Sequence, residues 1–234
     1  MSLSSKRSPD KISEAETEPT IKPAVGLIIG IIAVSTASIF IRFVQPEVPS
    51  LVIAAYRLSL ATIILFPIVI IRYLNELLSI GWKKLVLALV SGLFLAVHFA
   101  SWITSLRLTT VASSVVFVTT TPLWVGLFSS LFLKEHLTKP FVVGLLFSIT
   151  GGVIIGINDS CTFASGYLSC PPVESLLRGK EFMGNLLALF GAIMAAGYLM
   201  AGKKLREDIS IFVYTFIVYG IAAIILLISV SVFH

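Results

Sequence analysis

Two ionisable side chains sit inside otherwise apolar runs, and they pose the first chemical question. Arg57, in "AAYRLSLA" (54–61), is the only charged residue well inside such a run, and His98 stands in "LAVHFASW" (95–102). A guanidinium grips carboxylates and other anions through paired donors, and an imidazole titrates near neutrality. The chemistry on offer is therefore recognition of a small anionic group. His98, Ser101, Trp102 and Ser105 recur at three- and four-residue spacing and so share one helix face. Ser35, Ser38, Ser59 and Ser114 fall at a similar depth in neighbouring runs. Ionisable residues at membrane depth face a cavity or a partner, so these groups are candidates for a polar layer beside a substrate cavity. A plainer alternative also stands. Arg57 would then snorkel outward or bond helix-end carbonyls, His98 would be a packed interhelical donor, and Trp102 an interfacial anchor.

Catalysis finds no foothold. No carboxylate lies in the middle of an apolar run, and the chain has no HExxH, no GxSxG and no Walker-type phosphate loop. We expect no enzyme activity, no cofactor and no metal site.

The elements that hold these side chains follow from hydropathy. Of 234 residues, 57% are hydrophobic and only 12% charged, with a mean hydropathy of +1.01. Seven windows are long and apolar enough to cross a bilayer as helices: about 24–44, 51–71, 85–105, 111–133, 140–157, 182–202 and 210–233. The expected fold is an all-α polytopic membrane protein of about seven transmembrane helices, with the lipid bilayer as its first partner. A barrel is excluded, because its strands would be short and alternating. Residues 1–22 are polar, mixed in charge and free of aromatics, which predicts a disordered tail. The first apolar window is too long for the core of a signal peptide and has no convincing cleavage site, so it is read as a retained helix.

Basic residues give the orientation. One side collects twelve: Lys6, Arg7, Lys11 and Lys22; Arg72, Lys83 and Lys84; Lys134 and Lys139; and Lys203, Lys204 and Arg206. The other side has four, Arg42, Arg107, Arg178 and Lys180. The bias places the N-terminus in the cytoplasm of a cell (plasma or inner) membrane. Spread over several short loops, these charges do not form a nucleic-acid patch. The longest connection, 158–180, then lies outside and carries both cysteines, Cys161 and Cys170. An oxidising exterior permits a disulfide between them, and two free thiols remain the alternative. Trp82, beside Lys83 and Lys84, reads as an inner-interface anchor, and Trp124 as packing.

The fourth window contains "VTTTPLW" (118–124). Pro122 removes one amide and crowds the carbonyl of Val118. In a bilayer such a break is tolerated where hydroxyls, waters or neighbouring helices satisfy the freed group, and Thr119, Thr120 and Thr121 stand ready. A kink at mid-membrane opens space where transporters bind substrate, which makes Thr120 and Thr121 cavity candidates. A purely structural kink at Pro122 is the other reading.

The segment "SLRLTTVASSVVFVTTTPLWVGLFSSLFLKEHLT" (105–138), together with "AAYRLSLA", resembles EamA-type drug/metabolite transporters. The resemblance covers nearly everything from about residue 24 onward. It departs at Lys134, where the family usually has Gly, and in the long 158–180 loop. It implies ten helices in two inverted five-helix repeats around a central cavity, and it matches Glu135 to the family's glutamate at the end of helix four. For Glu135 we expect a helix-end ion pair with a loop Lys or Arg rather than substrate contact.

A repeat is visible within the chain. At an offset of 161, "LATIILFPIV" (60–69) lies over "IAAIILLISV" (221–230), Gly30 over Gly191 and Arg42 over Lys203. Five helices separate the copies, an odd number, so the second copy is inverted. The expected domains are a cytoplasmic tail (1–22), a five-helix repeat (23–157), an extracytoplasmic loop (158–180) and two helices beginning a second repeat (181–234). Such a chain would be a shortened form of a longer transporter, or would close its cavity with missing C-terminal helices or as a homo-oligomer. The expected function is transport of a small metabolite by alternating access, the substrate being an amino acid, an organic acid or another small polar compound. A non-transporting subunit or truncated relic is the alternative.

Overall fold

In the computed structural model, residues 23–133, 137–164, 167–170 and 172–233 are described. Seven helices among them are long and apolar enough to cross a membrane. They are α1 (Pro23–Val44), α2 (Ser50–Arg72), α4 (Trp82–Leu108), the pair α5 (Val111–Val118) and α6 (Thr121–Leu133), α7 (Lys139–Ser160), α9 (Lys180–Leu205) and α10 (Ile211–Phe233). Two short helices lie in connections, α3 (Leu74–Leu78) and α8 (Val173–Arg178). The arrangement is all-α except for one small addition. Strands β1 (Thr162–Ala164) and β2 (Tyr167–Ser169) form an antiparallel hairpin with Phe163 opposite Leu168. Cys161 and Cys170 are joined as a disulfide across its base. The 158–180 connection therefore carries structure of its own, which apolar-window counting has no means of detecting.

The chain divides into two units at Thr36–Ala37. In the first, the Thr36 hydroxyl donates to the Ile32 carbonyl at 2.7 Å, which satisfies it within its own helix. In the second, α4 packs along α9, and α10 packs against both α2 and α4. Small residues permit the close approach, as expected where lipid removes any hydrophobic drive between helices. A Cβ on Gly92 of α4 would lie 2.5 Å from Ile221 Cγ2 of α10. One on Gly184 of α9 would lie 2.9 Å from the backbone nitrogen of Thr109. Alanines at 188, 192, 195 and 196 complete the buried stripe of α9.

Polar pins hold the ends. The Glu76 carboxylate of α3 accepts the Ser210 amide at 2.5 Å, at the positive N-terminus of α10. Lys84 pairs with Asp208 at 3.0 Å. At the opposite end Arg42 donates to the Leu106 carbonyl, and Gln45 Nε2 donates to the Ile103 carbonyl at 2.6 Å.

Candidate functional site

The fourth span is two helices, and the reason is chemical. Thr119 and Thr120 interrupt it, and Pro122 falls in the first turn of α6. There its missing N–H costs least. Three hydroxyls take over the stranded carbonyls. Thr119 donates to Val116 at 3.0 Å, Thr120 to Phe117 at 2.6 Å, and Thr121 to Val118 at 2.7 Å. The last of these is the carbonyl that Pro122 leaves without its helical donor.

Beside the break lies a cavity of about 860 Å³. Its walls are helical stripes. Phe117 comes from α5, Thr120 from the break and Trp124 from α6, Ser148, Gly152 and Gly156 from α7, and Phe182, Asn185 and Leu189 from α9. Cys161 and Cys170 line it at the hairpin, with Leu177 from α8. The Trp124 indole donates to Thr120 Oγ1 at 3.2 Å, and Asn185 Oδ1 accepts from Thr109 at 2.8 Å.

A second polar group sits where α2, α4 and α9 meet. The Arg57 guanidinium lies over the rings of Phe99 (5.4 Å) and Trp102 (5.7 Å). Trp102 stacks on His98 at 5.9 Å, and His98 Nδ1 bonds the Gly191 carbonyl at 2.8 Å. Because the partner is a carbonyl, Nδ1 carries the proton and Nε2 is left as the acceptor. Among the described residues Arg57 has no carboxylate within ion-pair distance, and Trp102 Nε1, in a side chain only 3% exposed, has no hydrogen-bond partner.

The predicted site residues thus fall into separate groups. Arg57, Trp102 and His98 come together, with the Arg57 guanidinium also over Phe99, the residue next to His98. Ser101 is turned back onto the Val97 carbonyl at 2.8 Å. Ser114 meets Ser105 at 2.5 Å and pins α5 to α4. Ser38 is buried, and Ser35 is exposed on α1 within the first unit. Thr120 lines the cavity; Thr121 and the Arg57 group do not. Glu135 lies outside the described residues. Sequence reasoning assigned Trp124 to packing and passed over Asn185, Ser148 and Phe117. The signal was present, since 117, 120 and 124, 145, 148, 149 and 152, and 182, 185, 186 and 189 each repeat at helical spacing. Among the described residues no three His, Cys, Asp or Glu side chains gather where a metal would sit.

Seven helices long and apolar enough to cross a bilayer, the fourth span broken beside a cavity, make this a polytopic membrane protein. The family model of the EamA-like transporter family matches residues 21–157, and the chain belongs to that family. Its members are transporters, not enzymes. One solved crystal structure, described only as that of a protein, is similar to the chain at a TM-score of 0.54 and 20% identity. The match covers 87% of this chain and 62% of the other, so the chain spans under two thirds of that structure's length. At this identity the likeness speaks to fold alone. No curated protein matches the chain.

Proposed function

We propose that this protein moves a small molecule across the cell membrane by alternating access, with its binding place at the cavity beside the broken fourth span. The carrying observation is the break itself. Discontinuous helices at mid-depth mark transporter binding sites, and the cavity of about 860 Å³ at Thr120 and Trp124 has the size of a small-molecule pocket. The twelve-to-four bias of basic residues supports a cytoplasmic N-terminus.

The 5 + 2 repeat division belongs to the same proposal. At the 161-residue offset Ser50 falls on Ile211, Arg72 on Phe233 and Val44 on Leu205, so the ends of α2 and α10, and of α1 and α9, coincide. In this scheme residues 23–157 are one repeat and 181–234 begin its inverted copy, with α2 packed on its counterpart α10.

A second reading rests on Arg57 and the unpartnered Trp102 Nε1. Two donors without an acceptor fit a carboxylate or another anionic group on the substrate. Uptake of labelled amino acids, organic acids and nucleobases into vesicles reconstituted with the purified protein tests both readings. Saturable uptake of a compound is the expected result. Loss of that uptake in Arg57→Ala selects the anionic anchor, and unchanged uptake removes it. No saturable uptake of any compound class would favour the non-transporting alternative.

A further inference from the structure

We infer that the cavity at the broken span takes an uncharged, mainly apolar molecule with one hydrogen-bond donor; this rests on the transport reading and names its substrate class. Among the described residues, none that lines the cavity carries a charge. An ion moved there would lose hydration and meet no counter-charge from the described wall residues. Phe117, Trp124 and Phe182 supply ring surfaces instead, and the polar positions are few: Thr120, Ser148 and Asn185.

Thr120 fixes the polarity of one of these contacts. Its hydroxyl proton goes to the Phe117 carbonyl, and one lone pair accepts from the Trp124 indole. A hydroxyl has two lone pairs. What Thr120 has left to offer is an acceptor, which suits a ligand N–H or O–H. The Arg57 group, on α2 and α4, is absent from the cavity wall. Acyl chains of the bilayer share the apolar part of this chemistry but have no donor for Thr120.

A matched pair of probes tests the inference on the full chain. N-phenyl-1-naphthylamine is neutral, aromatic and carries one N–H; 8-anilinonaphthalene-1-sulfonate is the same framework with a negative charge. Binding is read as saturable energy transfer from tryptophan. The neutral probe should saturate at one per chain, and the sulfonate should bind at least tenfold more weakly. Gly156→Leu fills the cavity from a position where a Cβ meets nothing within 4 Å, and should weaken the neutral probe at least tenfold without lowering Tm. Thr120→Val, of nearly the same shape, should weaken it several-fold. Equal or tighter saturable binding of the sulfonate would overturn the uncharged class, as would neutral-probe binding indifferent to both variants. In vesicles of dibrominated phosphatidylcholine, quenching of Trp124 that the neutral probe relieves supports a small-molecule site. Quenching that it cannot relieve assigns the cavity to acyl chains and overturns the inference. The transport reading itself stands or falls on two-sided access to position 120, a separate measurement.

Discussion

The Val118 carbonyl is where proline and threonine chemistry meet. Pro122 leaves it without the amide an unbroken helix would supply, and the Thr121 hydroxyl donates to it at 2.7 Å. In lipid there is no water to substitute, so an unmet carbonyl carries its full desolvation cost. Thr121→Val keeps the shape and removes the donor. It should destabilise the protein by about 1–3 kcal/mol, read as a fall in Tm in detergent. Pro122→Ala restores the amide, and should lengthen α5 into α6 and impair transport more than folding. An unchanged transport rate in Pro122→Ala would separate the break from function. At Arg57 the measurable structural effect is the cation–π contact with Phe99 and Trp102. Arg57→Gln should cost about 0.5–2 kcal/mol of stability from that contact, checked by the same melts.

Close helix contacts in this fold rest on several glycines, among them Gly184 and Gly92, where an added β carbon has no room. At Gly184 the obstacle is the backbone of Thr109, 2.9 Å from a Cβ, and backbone cannot step aside. At Gly92 a Cβ would lie 2.5 Å from Ile221 Cγ2 and 2.8 Å from Ile221 Cβ, an atom fixed to its backbone, with the Val218 carbonyl at 3.2 Å behind. Gly184→Ala and Gly92→Ala should therefore both lower Tm. Gly144→Ala, whose Cβ meets nothing within 4 Å, should be neutral or raise Tm, since alanine favours a helix by about 1 kcal/mol over glycine. Equal effects at the three positions would contradict the packing described. The seven spans were legible in the sequence to within a few residues, because hydropathy alone decides membrane crossing. So was the break at Pro122, because proline and the three threonines act locally. The facing of each helix was not. In lipid, outward and inward faces are both apolar, so no polar stripe distinguishes them. That is why the wall shared by Trp124, Ser148 and Asn185 was not read as one surface, and why Arg57 and Thr120, both named as cavity candidates, lie in separate groups. The hairpin at Cys161 and Cys170 escaped for another reason: it is held by a cross-link and a short ladder rather than by an apolar pattern.

At the scale of the whole molecule, the proposed transport joins a proposed inverted repeat to a binding place at the broken fourth span. Under the proposed cytoplasmic start, seven spans bring the end of α10 to the outside. A reporter fused after it that works only in the cytoplasm should stay silent, and activity would mean that one span is misassigned. Alternating access makes a stronger demand, that Thr120 be reachable from each side in turn. The chain has two cysteines, both tied in the Cys161–Cys170 disulfide, so a new cysteine would be the single free thiol. The most direct measurement is labelling of Thr120→Cys by a membrane-impermeant maleimide, applied separately to right-side-out and inside-out vesicles. The account predicts modification from both faces, slowed in each case by N-phenyl-1-naphthylamine. Modification from one face only, or from neither, would contradict it.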